Sequence, residues 1–313
     1  MRSSLRLEEQ TCCLCKSGDG ELIGAGEDFE YRTSPDRFEV MRCGRCDLVY
    51  LKQRPALAEL DRIYPSTYHA FQFNEAEFGF VHKVRRRLEA RRLLAACEGL
   101  AADARIVDVG CGDGFHLALL RDFGKPGWRL EGIDASQRAV EAAGRAGLLV
   151  HHGVVEEVKL ADGSYDLALL IATIEHVAEP VAVLRAVKQL LKVGGRAVIV
   201  TDNCDTLDFA LTRKRVWGGY HFPRHWNLFN RKSLRLLAEA AEMEVVSMES
   251  VMSPVNWVYS VRNKLVDSKA APWLVEQFSL KAPLSLGVFT LVDLMFHIFG
   301  RGALVRMTVQ RAS

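Results

Sequence analysis

The sequence predicts an α/β protein: a doubly wound, mostly parallel sheet preceded by a small zinc ribbon and covered by a helical cap. Three observations lead there. From residue 105 onward short apolar runs alternate with amphipathic segments of helical period. The first apolar run ends in a glycine turn, "ARIVDVGCGDGFH", residues 104 to 116. Five of the eight cysteines fall within the first 46 residues, four of them as two CxxC pairs. A chain of 313 residues, 49% hydrophobic and 26% charged, can bury one large core and carry a second small module. Its 41 Lys and Arg against 39 Asp and Glu give no global charge that announces a nucleic-acid or membrane partner. The start, MRSSLRLEEQTCC, lacks the apolar core of a signal peptide, and no apolar run reaches the roughly 20 residues of a membrane span, so a cytoplasmic location is expected.

The ribbon comes first. Cys12, Cys15, Cys43 and Cys46 make two CxxC pairs separated by 27 residues, a spacing that sets four thiolates on tight knuckles around a tetrahedral zinc ion. A reducing compartment disfavours the alternative of two disulfides. Four protein thiolates close the coordination sphere, so this zinc is expected to be structural, and Cys13 is left over. "DLVYLKQRPALAELDRIYPSTYHAF" then reads as a strand, a Pro-bounded helix and a Tyr-rich connector, which makes residues 1–80 the ribbon and its docking linker. "VHKVRRRLEARRLLAACEG" follows, with Val81, Val84, Leu88 and Ala95 near helical spacing among Arg85, Arg86, Arg87, Arg91 and Arg92. A solvated basic face is the plain reading of this helix; contact with an anion or a membrane surface is the sharper one.

The core is expected over 81–256. "RIVDVG", "WRLEGID", "LLVHHG", "YDLALLIAT" and "RAVIVTDN" read as strands, interleaved with helices "FHLALLRDFG", "SQRAVEAAGRAG" and "PVAVLRAVKQLLKVGG", the last closed by its glycines. "SLRLLAEAAE" and "MEVVSMES" add a helix and a strand, and 302–313 supplies a final strand. Two stretches break the alternation: a polar, aromatic insertion at 203–232, read as a substrate lid, and the largely helical, apolar 257–301, read as a cap.

Ligands of such sheets gather at the carboxyl ends of the strands. The glycines stand at 110, 112 and 114, and position 115 is Phe, so the third glycine is misplaced for the GxGxxG that holds a dinucleotide pyrophosphate. Asp108 and Asp113 flank the loop and would repel a pyrophosphate, whereas they suit the sulfonium and ammonium groups of S-adenosylmethionine. The second strand ends in Asp134, 24 residues after Gly110, placed to accept from ribose hydroxyls.

"VDVGCGDG", "GIDAS", "GSYDLALLIATIEHVAEP" and "LLKVGG", in this order, resemble the class I S-adenosylmethionine-dependent methyltransferases over residues 104 to 202. That resemblance implies a seven-stranded Rossmann-like sheet with a reversed final strand, matching "ALVRMTVQRA" at the end of the chain. It also implies that Asp108, Gly110, Cys111, Gly112 and Gly114 surround the methionine portion, that Asp134 holds the ribose, and that Val155 and Ile171 complete the cofactor site. Val154 stands where relatives often carry an Asp for the adenine amino group, which leaves that contact to backbone and apolar packing. "MRCGRCDLVYLKQRP", "YPSTY" and "FPRHWNLFNRKSLRLLAEAAEMEV" look like the zinc-ribbon methyltransferases of polysaccharide and natural-product biosynthesis.

Methyl transfer to a hydroxyl needs a base, and imidazole titrates in the right range. The candidates are His176, in "IATIEHVAEP", and His221 and His225, in "GGYHFPRHWNLF", with His225 preferred; each could instead satisfy buried backbone groups. Ubiquinone-type O-methyltransferases carry a further Glu three positions before the residue matching Glu175, where this chain has Ala172, so no catalytic metal is expected. "PLSLGVFTLVDLMFHIF" carries Asp293 and His297 and reads as a packed helix or, alternatively, an interfacial one that reaches a lipid-linked acceptor. The expected activity is S-adenosylmethionine-dependent O-methylation of a small acceptor, a sugar, polyketide or lipid-linked intermediate. Sugar C-methylation is an alternative, and RNA modification another that the balanced charge of the ribbon disfavours.

Overall fold

The computed structural model describes residues 3–65, 68 and 75–312, with the side chains of 75–78, 80 and 81 left aside. Most of the Tyr-rich connector, 66, 67 and 69–74, and the side chain of Val81 therefore lie outside the described residues. Five short strands open the chain: β1 (Leu7–Glu9), β2 (Gly20–Gly26), β3 (Phe38–Cys43), β4 (Val49–Leu51) and β5 (Gln53–Pro55). β2, β3 and β4 pair antiparallel in sequence order, and β1 closes on β5. Phe38 and Val40, two apart on β3, point inward and are fully buried, as the period of a strand requires. The thiol-bearing turns are twins. Lys16 and Asp47, each following the second Cys of a CxxC, have φ of 55° and 61°, and their amides donate to the carbonyls of Cys12 and Cys43 at 2.8 and 3.1 Å.

Helices α1 (Leu60–Ile63) and α2 (Glu75–Ala96) lead into the core. It comprises β6 (Arg105–Val109), α3 (Phe115–Phe123), β7 (Arg129–Asp134), α4 (Gln137–Arg145), β8 (Val150–His152), β9 (Tyr165–Ile171), α5 (Pro180–Leu190) and β10 (Leu191–Asp202). After it come α6 (Leu207–Thr212), β11 (Asn227–Leu228), α7 (Arg231–Ala240), β12 (Glu244–Val251), α8 (Val255–Asp267), α9 (Pro272–Glu276), α10 (Pro283–Ile298) and β13 (Leu304–Gln310). The large sheet has seven strands in the order β12-β13-β10-β9-β6-β7-β8, with β13 antiparallel to both its neighbours, so the reversed final strand is present. β6, β9 and β10 are buried on both faces, which explains why they read as continuous apolar runs.

One boundary differs from the sequence reading. α5 ends at Leu190, and the "LKVGG" expected to close it already belongs to β10, because Leu191 pairs with Tyr165 before a register shift that resumes at Arg196. Gly194, with φ of 79°, takes the left-handed conformation inside that irregular stretch. The insertion is no free flap. Its β11 pairs antiparallel with β4, Asn227 opposite Tyr50 and Leu228 opposite Val49, and so adds a fourth strand to the ribbon's sheet. Trp217, Tyr220, Phe222 and Trp226 from the insertion share one apolar cluster with Phe38, Val40 and Leu51 from the ribbon. Among the described residues no helix is long and apolar enough to cross a membrane.

Candidate active site

The strand order, not the chain direction, reverses between the parallel neighbours β6 and β9, and the glycine turn lies at the carboxyl end of β6 beside that switch. Gly110, Gly112 and Gly114 have φ of 73°, 57° and 83°. A Cβ on Gly110 would stand 2.5 Å from Cγ2 of Thr173, whose hydroxyl donates to the Val109 carbonyl at 2.9 Å. A Cβ on Gly112 would meet only open space, so what that glycine supplies is backbone conformation beside a vacant approach. Asp108 is buried with one carboxylate oxygen, Oδ2, lacking any hydrogen-bond partner, and Nδ1 of His116 approaches that oxygen only to 3.7 Å. Burying such an acceptor unpaired is costly, and a cationic ligand group would satisfy it.

Asp134 closes β7. Its Oδ2 accepts from the Gly112 amide and its Oδ1 from the Ser136 amide, both at 2.8 Å, which ties the two loops together, and burial raises its pKa. Each oxygen keeps a lone pair for a hydroxyl. Cys111 and Val155 are buried beside this turn's region of the core and Ile171 is half-buried at the end of β9, while Val154 is exposed. The residues thus fit S-adenosylmethionine in its charge pattern: an unpartnered buried carboxylate, an open backbone approach and a second acid at the next strand end.

The three histidines come together. The rings of His176 and His225 are 4.6 Å apart between centroids, and those of His221 and His225 are 5.1 Å apart. His225 Nδ1 lies 2.7 Å from the Gly219 carbonyl and 3.2 Å from Asp202 Oδ2. Both partners are acceptors, so Nδ1 carries the proton and Nε2 the lone pair. Burial opposes charge on this ring, but the Asp202 hydrogen bond and carboxylate prevail and raise its pKa. Asp202 Oδ1 in turn accepts from Asn256 at 2.7 Å. His176 contrasts with it. Burial, then the neighbouring His225 and His221, hold its pKa well below the ordinary imidazole value, and its Nδ1 meets the Arg224 carbonyl at 3.1 Å and the Tyr64 hydroxyl at 3.0 Å. His221 pairs with Glu30 at 2.7 Å, yet burial pushes it down to about 4.

Glu175, preceding His176, is buried; it accepts the Thr201 hydroxyl at 2.9 Å, and burial lifts its pKa to about 7. Ligand-type atoms of Glu175, His176 and His225 lie within 4.8 Å of one another.

Sequence reasoning missed the parts that frame this cluster. Asp202 ends β10 as Asp134 ends β7, so the strand-end rule applied to one would have found the other. Arg224 is fully buried. Its guanidinium donates to Asp28 at 3.1 Å and to the carbonyls of Ile63 and Phe222, and it sits 4.4 Å from the Tyr31 ring centre. This residue of the insertion thereby holds the ribbon and the linker at once. Tyr31, Tyr64 and Tyr68 wall the histidines from that side. Glu30 borders a void of about 10 Å³ at His221 and also a cleft of about 470 Å³ that opens between Arg32 and helices α8 and α9.

In the ribbon, Cys12 Sγ lies 3.3 Å from Cys46 Sγ and Cys15 Sγ 3.4 Å from Cys43 Sγ, too far for disulfide bonds and close to the spacing of thiolates around one ion. Knuckle amides of Leu14 and Cys15 donate to Cys12, and those of Arg45 and Cys46 to Cys43, as thiolate sulfurs require. The donor set fits tetrahedral zinc, and the Lys16 and Lys232 ammonium groups near it are paired with Glu179 and Asp47.

Sheet order and glycine turn together define the class I S-adenosylmethionine-dependent methyltransferases. A methyltransferase-domain family model matches residues 80–248, and the chain belongs to that family. It is 29% identical over 172 residues to the ubiquinone biosynthesis O-methyltransferase of Cereibacter sphaeroides, a match spanning 51% of this chain and 68% of that one. An uncharacterised 37.1 kDa protein in transposon TN4556 of Streptomyces fradiae is 36% identical over 116 residues, but the match spans only 34% of either chain. Among solved structures, a methyltransferase of Thermotoga maritima superposes with a TM-score of 0.51 at 20% identity, covering 80% of this chain and 98% of that one. The cyclase SpnF superposes at 0.50 with 18% identity, covering 74% and 82%; these two likenesses concern fold alone.

Proposed function

We propose that the chain methylates an oxygen atom of a small biosynthetic acceptor, a sugar, polyketide or lipid-linked intermediate, with His225 as general base. The observation that carries this reading is the pairing of Asp202 with His225 Nδ1, which leaves Nε2 as the acceptor of a proton. S-adenosylmethionine, when bound, supplies an electrophilic methyl group. Asp108 with Gly110, Cys111, Gly112 and Gly114 would hold its methionine end, Asp134 its ribose, and Val155 and Ile171 the remainder. His225 takes the acceptor's hydroxyl proton at Nε2, and the Asp202 carboxylate stabilises the resulting imidazolium. His176, kept neutral by burial, and His221, held by Glu30, position the wall around it.

Within residues 12–46 the basic residues are balanced by acids, a weak phosphate footprint that speaks against RNA. For the four thiolates we propose a structural zinc ion that keeps the ribbon, and through it Asp28 to Tyr31, in register with the histidines.

The test is turnover with S-adenosylmethionine labelled in its methyl carbon against a panel of catechols and sugars, read by NMR, which separates O-methyl from C-methyl products. His225→Gln should lower kcat about a hundredfold to ten-thousandfold while calorimetric affinity for S-adenosylhomocysteine stays unchanged. Because the pKa of His225 is raised, kcat/KM should climb with pH through a midpoint above the ordinary imidazole value, the ring accepting a proton only when neutral. Unchanged turnover in the variant overturns the assignment.

A further inference from the structure

Helix α10 is inside out. Its single acid, Asp293, is buried and accepts the amides of Ser253 at 2.8 Å and Ala303 at 3.1 Å. Trp257 of α8 stacks on Phe289 and Phe296 from the same side. What is left for the outside is apolar: Leu284 is 79% exposed, Leu291 65%, Met295 61% and Ile298 72%, with Val288 at 49%. These five recur at i, i+4, i+7, i+11 and i+14, so they form one stripe along a helix about 24 Å long. A stripe of this kind exceeds the scattered apolar exposure of an ordinary surface.

A second surface adjoins it. Arg87 and Arg91, one turn apart on α2, are exposed beside Val84 and Leu88. The two helices are fastened to consecutive residues of one loop: Arg92 donates to the Met252 carbonyl at 2.8 Å, and Asp293 accepts from the Ser253 amide. Among the described side chains of the two helices the acids are spent internally. Asp293 is buried, and Glu89 pairs with Arg92 at 2.7 Å.

We infer that α10 and the arginine face of α2 together dock the protein on an anionic lipid bilayer, α10 lying in the interface plane with its apolar stripe among the acyl chains and Arg87 and Arg91 against lipid phosphates. Sixteen residues are too few to span a bilayer, but an apolar face beside a cationic one is what an interfacial helix uses. A second copy of the chain is a poorer occupant, because a two-fold contact centred here would bring the same arginine-rich rim against itself. The inference is independent of the chemistry proposed above and is read without any methyl transfer.

The experiment is flotation of the full chain with large vesicles of phosphatidylcholine alone or mixed with phosphatidylglycerol, alongside light scattering of the free protein. The wild type should float with the anionic vesicles, less at high salt. Leu291→Glu with Met295→Glu should abolish flotation, and Arg87→Gln with Arg91→Gln should weaken partitioning about thirtyfold, each cation contributing about fivefold. All four side chains are exposed, so the circular dichroism melt should not change. Absence of flotation on either vesicle, or flotation indifferent to both pairs of substitutions, overturns the inference. So does a dimer that the glutamates dissolve without affecting vesicle binding, which would make the stripe a contact between copies.

Discussion

Replacing Glu175 by Gln should flatten the dependence of stability on pH. The Glu175 side chain is buried with Thr201 donating to it, and burial raises its pKa from 4.5 to about 7, against the opposing pull of His225. The folded chain therefore keeps this proton at pH values where the unfolded chain has released it. Stability from this group is fully present below about pH 4.5 and is lost as the pH rises through about 7. The interval between the two values, at about 1.4 kcal/mol per pH unit, amounts to about 3 kcal/mol. Glutamine has nearly the same shape, can still accept from Thr201, and has no proton to lose. Urea unfolding of both proteins, repeated across that pH window, should show the variant gaining on the wild type by about 3 kcal/mol from the acid to the alkaline end. Parallel stability curves would refute the reasoning, since they would mean that Glu175 ionises in the folded chain as easily as in water.

Gly110→Ala should cost at least tenfold in affinity for S-adenosylhomocysteine by calorimetry, because its φ of 73° disfavours a side chain and the new Cβ would meet Thr173 at 2.5 Å; unchanged binding would place the cofactor elsewhere. Elemental analysis of the purified protein should find one zinc per chain, and Cys43→Ser should lose the metal and lower the melting temperature, while retained metal would break the assignment of the four thiolates. Asp28→Asn strands the fully buried Arg224 without its counter-charge and should destabilise the fold by about 3–5 kcal/mol in urea titration; a change under 1 kcal/mol, on the order of an exposed pair, would contradict the burial of that pair.

The large sheet was legible because parallel strands buried on both faces must be apolar along their length, as "YDLALLI" of β9 is. The glycine turn was legible because positive φ at three alternating positions leaves little choice but glycine. The end of α5 was not, since "LLKVGG" continues the apolar spacing of the helix and only the pairing of Leu191 with Tyr165 turns it into strand. The two residues of β11 carry no periodicity at all; a partner 177 residues earlier, Tyr50 for Asn227, decides their state. The three histidines could be picked out by chemistry. Their frame could not, because Tyr64 and Glu30 reach His176 and His221 from elements that announce themselves only as linker and ribbon.

That β11 stands two residues from His225 and completes the sheet of the metal module has a bearing on how such proteins can be recombined. An amino-terminal segment exchanged between relatives at the residue 80 junction would leave its sheet edge bare and take Asp28 away from Arg224. A working chimera must carry both the first 80 residues and the 203–232 segment from the same parent. The two pieces, distant in the gene, are expected to be inherited as a pair.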